Sequence, residues 1–568
     1  MRAFALGIPL SLPYLAVAQP VYYVSPNGDD AADGLSPQTA WRTLEKVSST
    51  PFEPGTHVLF ERGGEWRGRL QSSSSGTPEA PIVYASYGSG PKPRFYGSDI
   101  LNKSAFAPAA PDSSAVVTAA PQPVGSVLIN GEFLRSSQLV TGSSSPSVNR
   151  QHVLNTPGTW YRDPTTQQLF INSGTNPLTD PRQYTAVTRD DVVYAYHNNH
   201  LIFRDFVVDE TAFYDRGYSF RVQGADFVRI ENSEAYRAGK HHFGVINSNG
   251  FHGKGLYAAI AMPDQGFGGA TALVSYSDHR YSGHTSVWED VLVEDMRGPY
   301  PAWYSHGEGI GHVTLRNITS IGSSFSISEL TTAYNITAID ANIGIGSDMV
   351  VEGVTIKGRQ AQLSIGARTT VRNLLIDNFI WQSSHAAPVV VHGADARIEM
   401  ATITIGSLPM FGQMIALANS DASLELFGAI LSAPGNTPFS WSGLAATQID
   451  TDYNLYHNIH FRGPGNQALS LAQWANLTGN DLNSLAGIPG FIDPASGNYN
   501  LLPGSIALDR IPAHLLPHLL IDRNGRPRWI GSGIDIGAFE GFTVVPEPSA
   551  VFAAAIAGAL LLRRVPVR

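Results

Sequence analysis

The chain has 568 residues, with 37 Lys and Arg against 47 Asp and Glu, so its formal net charge is −10 at pH 7. This acidic balance, with no basic tract, does not suggest nucleic acid as a partner. The absence of cysteine excludes disulfides, thiol catalysis and a lipid-modified amino-terminal cysteine. Many glycines (56) and prolines (37), with only 15% charged residues, favour a turn-rich β structure over long helices.

Residues 1–18 have the pattern of a secretory signal peptide. Arg2 supplies a positive start, a largely apolar stretch follows, and Ala16-Val17-Ala18 provides a small-residue cleavage site. The pattern predicts an exported protein whose mature chain begins at Gln19.

Residues 19–100 predict an amino-terminal cap and the first coils of a repetitive β structure. Val21-Tyr22-Tyr23-Val24, Ala40-Trp41-Arg42-Thr43-Leu44 and Pro81-Ile82-Val83-Tyr84 resemble the first coil of pectate-lyase-like β-helix proteins. The rhythm breaks over residues 101–186, where Ala, Pro and Ser dominate around 104–124. This segment predicts a loop and a small β insertion.

Residues 187–445 repeat short β-branched or aromatic runs separated by Gly, Asn, Asp and Ser. Equivalent apolar positions, mostly 22 to 27 residues apart, lie at 201, 227, 251, 288, 313, 349, 371, 398 and 424. The long gap after 313 has room for a divergent turn at 334–339, and the gap after 251 for an inserted loop. One alternating strand per repeat of about two dozen residues predicts an all-β, right-handed parallel β-helix solenoid, whose coils bury their apolar faces only against one another.

Residues 446–541 predict the carboxy-terminal coils and cap. Asp452-Tyr453-Asn454-Leu455-Tyr456 and Asp535-Ile536-Gly537-Ala538-Phe539-Glu540 resemble the closing turns of the same pectate-lyase-like proteins. The resemblance spans roughly residues 21–541. It implies the fold but not the reaction, because this fold occurs in lyases, hydrolases, epimerases and adhesins.

The last segment, 542–568, has the order of a sorting tail. Pro546-Glu547-Pro548 precede an apolar run over 550–562 that is followed by Arg563 and Arg564. It resembles a PEP-CTERM signal with a short transmembrane segment. The resemblance implies handling by an exosortase in a Gram-negative bacterium, at the cell surface or in the matrix, with a transient or retained membrane anchor.

Candidate chemistry concentrates between residues 191 and 312. Nine of the 17 histidines and ten of the 22 tyrosines fall there, which favours a groove centred on residues 215–308. The predicted catalytic residues are Lys240, His241, His242, Arg280 and Tyr276. The predicted substrate-binding residues are Arg237, His252, Lys254, His279, His284, Tyr281, Trp303 and Tyr304.

These residue types favour a polysaccharide lyase. β-Elimination at a uronic acid needs a cation, or Ca²⁺, to neutralise the carboxylate, a base for the C5 proton and an acid for the leaving oxygen. Lys or His would be the base, Arg280 the neutralising group, and Tyr276 or Tyr281 the acid. Ca²⁺ is a possible cofactor, and no ligand set singles out its site.

Two alternatives stay open. A glycoside hydrolase would need a carboxylate pair, for which the candidate acids are Asp215, Asp264, Asp278 and Glu308. A non-catalytic protein would bind exopolysaccharide at the cell surface. In each case the expected partners are extracellular polysaccharide and the export machinery, and a monomer is expected.

Overall fold

A computed structural model describes residues 19–211, 217–261, 271–277, 284–296, 301–306, 310–328, 330–359, 361–380, 387–407, 413–438, 448–463 and 467–541. These residues form two compact units. The first comprises residues 19–211, 217–236 and 248–251. The second comprises residues 237–247 and the described residues from 252 to 541.

The first unit begins with parallel strands and one short helix. They are β1 (Val21–Val24), α1 (Leu44–Ser49), β2 (His57–Glu61), β3 (Glu65–Arg67), β4 (Leu70–Gln71), β5 (Ile82–Tyr87) and β6 (Arg94–Tyr96). Thr43 caps α1, because its side chain accepts a hydrogen bond from the Lys46 amide.

A small β insertion follows β6. It contains β7 (Ser98–Ile100), β8 (Ala107–Pro108), β9 (Val116–Ala119), β10 (Ser126–Ile129), β11 (Glu132–Phe133), β12 (Arg135–Ser136), α2 (Ser137–Thr141), α3 (Pro146–Asn155), β13 (Thr159–Asp163), β14 (Gln168–Asn172) and β15 (Tyr184–Val187). Its strands form two mainly antiparallel sheets, in the orders β11-β10-β15-β7 and β12-β13-β14-β9-β8.

The coils then resume with β16 (Asp191–Tyr196), β17 (Leu201–Arg204), β18 (Val207–Asp209), β19 (Tyr218–Gln223), β20 (Arg229–Glu231) and β21 (Glu234–Ala238). Strands in equivalent positions pair in parallel from coil to coil. The three series are β1–β2–β5–β17–β20, β3–β6–β18–β21 and β4–β16–β19. The predicted parallel β-helix with a small β insertion is therefore confirmed.

The second unit alternates short strands with long ones. Its strands up to residue 407 are β22 (His241–Ile246), β23 (Phe251–Ala261, its first residue in the first unit), β24 (Thr271–Tyr276), β25 (His284–Glu294), β26 (Trp303–His306), β27 (Ile310–Ile321), β28 (Phe325–Ile327), β29 (Thr331–Ile339), β30 (Ile343–Ile345), β31 (Val350–Arg359), β32 (Leu363–Ile365), β33 (Thr370–Ile380), β34 (Val389–Val391) and β35 (Ala396–Ser407).

The remaining elements are β36 (Ile415–Leu417), β37 (Leu424–Phe427), β38 (Ile430–Pro438), β39 (Ile449–Asp452), β40 (Leu455–Arg462), β41 (Ala468–Leu469), α4 (Leu471–Thr478), β42 (Leu485–Ala486), β43 (Phe491–Asp493) and β44 (Asn498–Leu501). The long strands from β25 to β35 pair consecutively and in parallel. So do the short strands β22 and β24, and those from β24 to β36.

The structure corrects the predicted repeat in two respects. One strand per coil was wrong, because the additional strands are short, many of them only three residues long, and give too little alternation to be recognised in a sequence. The apolar position at 227 was off by one: Ile202 pairs with Arg229, so the buried equivalent of Leu201 is Val228, and Phe227 is 54% exposed. The long gap after residue 313 holds a complete coil, since Thr331 of β29 pairs with Val313.

Stacked apolar side chains form the interior of the second unit. Ile318, Ile336 and Val354 occupy one register position on three successive coils, and all three are fully buried. Next to them the long strands bend at asparagines with positive φ, a conformation that asparagine adopts more readily than most residues. The Asn317 amide donates to Asp290 at 2.8 Å, and Asn335 donates to Asn317 at 3.1 Å, so these side chains form a ladder along the bend.

Residues 487–541, the carboxy-terminal strap, cover the outer face of the long strands in the second unit. Arg523 donates to Thr355, the Ala538 amide donates to Thr402, and His518 contacts Glu399. Arg528 is fully buried beside Glu540, whose pKa is raised to about 9 mainly by burial. The closing sequence 535–540 therefore holds the strap on the coils.

The tail that resembles a PEP-CTERM signal, with Pro546, Glu547, Pro548, Arg563 and Arg564, lies outside the described residues, as does the signal-like segment 1–18. Within the described part of the chain, no helix is long and apolar enough to cross a membrane.

Two glycines on the outer face of the short strands test the stacking distance between coils. A Cβ added at Gly366 would lie 2.6 Å from the Gly346 carbonyl carbon, whereas one at Gly344 would lie 3.7 Å from Ser326 Oγ. We expect Gly366→Ala to lower the free energy of unfolding by about 2 kcal/mol, because the neighbouring backbone must move. Urea unfolding measures it, with Gly344→Ala as the matched control. Equal losses in the two variants would contradict the stacking argument.

Candidate functional site

Two of the predicted catalytic histidines are interior. His241, the first residue of β22, is buried, and its Nδ1 lies 2.6 Å from Thr271 Oγ1. His242 is fully buried, and its Nε2 donates to the Ala259 carbonyl at 2.9 Å. Burial lowers the pKa of His242 to about 4, so its ring is neutral at pH 7. Such a ring does not reach a substrate in a surface groove, contrary to the expectation.

The other described catalytic candidates are half-buried. Lys240 precedes β22, and its carbonyl accepts a hydrogen bond from the Thr271 amide. Tyr276 ends β24, where it pairs in register with Ile246. The fold thus brings the segment around Lys240 next to β24. Of the segments expected to line one groove, these are the two whose contact lies within the described residues.

Two predicted substrate-binding residues, His252 and Lys254, lie together on the outer face of the second unit. His252 Nε2 is 3.3 Å from Glu289 Oε2, and Lys254 Nζ is 3.5 Å from the same oxygen and 3.8 Å from Asp290. Arg237 is half-buried near the end of β21. His252 and Lys254 therefore contact the carboxylates of Glu289 and Asp290 and do not form an open cationic groove.

The predicted aromatic residues have opposite positions. Trp303 is fully buried, and its ring packs edge-on against the Trp288 ring at 5.6 Å. The role of Trp303 in substrate binding was therefore wrong, because its side chain points into the solenoid. Tyr304, the next residue of β26, faces outward and is 44% exposed.

Several predicted residues lie outside the described part of the chain. These are Arg280, His279, Tyr281, Asp215, Asp264, Asp278 and Glu308, together with the side chain of His284. Among them is Arg280, which the predicted elimination needs to neutralise the carboxylate of the substrate.

A different cluster, in the first unit, combines acids, arginines and aromatic rings. We call it the paired-aspartate site, defined by Arg69, Asp190, Asp191, Tyr194, Tyr218 and Arg221. Parallel pairing assembles it, because Asp191 is in register with Tyr218, and Tyr194 with Arg221. Arg69 arrives from the preceding coil and donates from Nε to the Asp191 carbonyl at 3.1 Å.

Asp191 is the buried acid of this site. It is 3% exposed, and its Oδ2 accepts from Arg221 Nη1 at 3.0 Å. Its Oδ1 has no hydrogen-bond partner among the described residues. Burial raises the pKa of Asp191, Arg221 opposes that effect, and the neighbouring Asp190 carboxylate adds to it. A raised pKa and an oxygen without a partner are properties of a proton-donating carboxylic acid.

Asp190 is the exposed acid of the pair. Arg69 Nη2 lies 2.6 Å from Asp190 Oδ1 and 4.0 Å from Asp191 Oδ2. Because both oxygens approach one nitrogen, they are at most about 7 Å apart, an upper limit that includes the carboxyl separation of retaining glycosidases, about 5 Å. The site therefore has one partly exposed and one buried carboxyl group that approach the same arginine.

The rings of Tyr194 and Tyr218 pack against the guanidinium groups of the two arginines. The Arg69 and Arg221 guanidinium carbons lie 5.9 and 5.4 Å from the centre of the Tyr194 ring, and Arg221 is 4.9 Å from the Tyr218 ring. Cation–π contacts at these distances favour a fixed guanidinium. Burial is the main cause that raises the pKa of Tyr194 to about 12, so its hydroxyl stays protonated at pH 7.

Sequence reasoning missed this site, although a signal was present. Two adjacent acids, Asp190 and Asp191, stand where the apolar and aromatic run of β16 begins. The histidine density further along the chain drew attention to residues after 215. Arg69 had no sequence signal, because the β insertion separates it from Asp190.

The second unit contains a groove of about 530 Å³ on the outer face of its short strands. Outward residues there are small on three successive coils: Ser326 and Ser328, Gly344 and Gly346, and Ser364 and Gly366. The groove includes Ser305 but neither His241 nor His242. Among the described residues, no group of three His, Asp or Glu side chains has the geometry to hold a metal ion.

The pH dependence of stability tests the buried state of His242. The folded pKa of about 4 lies below the 6.5 of an unfolded histidine, so unfolding takes up a proton between these values. Stability from this group is therefore present above pH 6.5 and is lost as the pH falls to 4, by about 3 kcal/mol in total. We expect His242→Gln, which keeps an amide donor for Ala259, to flatten urea-unfolding free energies over this window. Identical pH profiles for the two proteins would contradict the assignment.

No protein-family profile matches the chain. A segment is 32% identical over 106 residues to a lacto-N-biosidase of Bifidobacterium longum subsp. longum, covering 15% of this chain and 7% of that protein. The chain thus matches less than a tenth of the length of this relative.

Several solved structures are similar to the chain. They include XylC in complex with xylose (TM-score 0.48, 9% identity, 83% of this chain and 87% of that one). A mannuronic-acid-specific polysaccharide family 6 lyase from human gut microbiota has a TM-score of 0.38 at 10% identity (78% and 87%). Pectate lyase Pel9A has a TM-score of 0.32 at 12% identity (92% and 96%). The names of these proteins are those of carbohydrate-active enzymes.

Proposed function

We propose that the chain is a carbohydrate-active enzyme, a glycoside hydrolase that uses the paired-aspartate site. The observation that carries the proposal is Asp191, a buried carboxyl group with a raised pKa and one oxygen without a hydrogen-bond partner among the described residues. The local match to a lacto-N-biosidase also supports a glycan as substrate.

The two carboxyl groups divide the chemistry of glycoside hydrolysis. Asp191 donates its proton to the glycosidic oxygen as the bond between that oxygen and the anomeric carbon breaks. The Asp190 carboxylate takes a proton from the water whose oxygen forms the new bond to the anomeric carbon, so the proton given up by Asp191 is replaced by one gained at Asp190. Arg69 holds Asp190 at 2.6 Å and so keeps its charge in place while Asp191 gives up a proton.

Charge balance favours hydrolysis over the β-elimination expected from the sequence. Elimination needs a cation that is free to neutralise a uronate. In the paired-aspartate site Arg69 and Arg221 both contact aspartate oxygens, and these contacts hold the two guanidinium groups away from a substrate carboxylate. The histidine offered as base for elimination, His242, is buried and neutral.

We expect Asp191→Asn to lower kcat on the cleaved glycan by about 10³-fold, the contribution of a positioned general acid. The amide is isosteric but carries no acidic proton. Reducing ends released from xylan, β-glucan, mannan and arabinan measure hydrolysis, and absorbance of unsaturated ends from polygalacturonate and alginate measures elimination.

Asp205→Asn is the matched control for this test. Asp205 is also a partly buried aspartate of the first unit with an arginine partner, Arg62 at 3.3 Å, but it lies outside the site. It should retain wild-type turnover. Wild-type turnover in Asp191→Asn, or unsaturated products from the wild-type protein, would refute hydrolysis at this site.

We further propose that the enzyme acts outside the cytoplasm, at the surface or in the matrix of a Gram-negative bacterium, with its exosortase as a processing partner. The support is the order of motifs at the two ends of the sequence. We expect mass spectrometry of protein from the cell envelope to find Gln19 as the first residue. Recovery of full-length chain from the cytoplasm alone would contradict export.

A further inference from the structure

Tyr196 is an exposed aromatic ring on the same strand as the paired aspartates. It ends β16 and is 41% exposed. Tyr194 and Tyr196 are two residues apart, so they share the outer face of the strand. Because the Tyr196 ring is exposed, it contributes little to the buried core of the solenoid. Packing of the core therefore does not explain an aromatic residue at this position.

Neighbouring rings hold Tyr196 in place. Its ring centre lies 5.3 Å from that of Tyr194, at a tilt of 34°, and 4.1 Å from that of His197, which meets it edge-on. A Cβ on Gly224 would lie 2.6 Å from the His197 ring, so glycine at 224 gives that ring room to lie against the next coil. A ring that already contacts two other rings loses little conformational freedom when a ligand stacks on it.

An amide side chain lies beside this ring. Gln223 pairs in register with Tyr196, and its Oε1 accepts from the Tyr194 hydroxyl at 3.2 Å. Among the described residues the Gln223 amide nitrogen has no hydrogen-bond partner, so it is available to donate to a ligand hydroxyl. Gln71 pairs with Tyr194 on the opposite side. Around Tyr196 the strand face is thus aromatic and amide in character.

We propose that Tyr196, His197 and Gln223 form a second sugar-binding subsite for the same glycan chain, an inference that rests on the proposed hydrolase function. Tyr196 stacks on the apolar face of a neutral sugar ring, and Gln223 donates to its hydroxyl groups. A neutral sugar fits because none of the three residues of the subsite is Lys, Arg, Asp or Glu. The nearest arginines, 69 and 221, already have aspartate partners.

The strand sets the length of ligand that the subsite needs. Tyr196 is five residues beyond Asp191, which corresponds to about 16 Å along an extended strand. An oligosaccharide of several residues reaches from the aspartates to Tyr196, whereas an aryl monosaccharide glycoside does not. The subsite therefore selects for chain length and leaves the bond-breaking step unchanged.

Tyr196→Ala tests the subsite. On the hexasaccharide of the cleaved neutral glycan we expect KM to rise about tenfold with kcat unchanged, as for loss of binding common to the ground and transition states. On the aryl monosaccharide glycoside both constants should stay at their wild-type values. Tyr196→Trp should restore the low KM. Calorimetric titration of the Asp191→Asn variant with xylo-, cello- and mannohexaose gives affinity without turnover.

Phe227→Ala is the matched control. Phe227 is also an exposed aromatic residue of the first unit, but its ring is stacked on the His200 ring at 4.9 Å with Gly250 close to its edge. It should leave KM and affinity unchanged. A hexasaccharide KM in Tyr196→Ala equal to that of the wild type would overturn the subsite and leave hydrolysis intact. Hexasaccharide binding that Tyr196→Ala abolishes, in a protein that cleaves nothing, would support the subsite and overturn hydrolysis.

Discussion

Parallel backbone pairing between successive coils is the constraint on which the rest of the structure depends. Each strand satisfies its amide and carbonyl groups on the next coil, about 4.8 Å away. Side chains at equivalent positions therefore stack directly on one another. This gives the interior its columns, such as Ile318, Ile336 and Val354, and gives the bends their asparagine ladder. A substitution therefore first disturbs the packing of the neighbouring coils, as a side chain at Gly366 would disturb the backbone at Gly346.

The same pairing assembles the candidate site. Asp191 and Tyr218 are neighbours because β16 and β19 pair in register, and Arg69 joins them from the coil before. The β insertion enters the chain between β6 and β16, so it separates Arg69 from Asp190 along the chain without disturbing their contact in space. An insertion in one coil leaves the register of the others unchanged.

Burial decides which of the acid–base residues can act on a ligand. His242 has a histidine's chemistry but lies inside the second unit, where loss of solvation keeps it neutral. Asp191 is also buried, yet one of its oxygens has no hydrogen-bond partner among the described residues, and Asp190 next to it is partly exposed. His242 Nδ1 likewise has no hydrogen-bond partner among the described residues, so what distinguishes Asp191 is the partly exposed carboxylate beside it.

The sequence by itself determined the coils. Alternation of apolar and polar residues, repeated about every two dozen positions, requires strands that bury one face, and nearly every predicted strand of the core is present. The insertion was also readable, because Ala, Pro and Ser interrupt that alternation. The short strands were not, because most of them, such as β28, β30, β32, β34 and β36, have only three residues, too few to show an alternation.

Only the tertiary structure decided the site. Histidine and tyrosine density pointed to residues after 215, whereas side-chain direction places Trp303 and His242 inside and Tyr196 outside. Direction changes with every residue along a strand, so an error of one position, as at Phe227 and Val228, exchanges interior for surface. The pairing of Arg69 with Asp190 depends on register between coils, which a repeat of variable length does not specify.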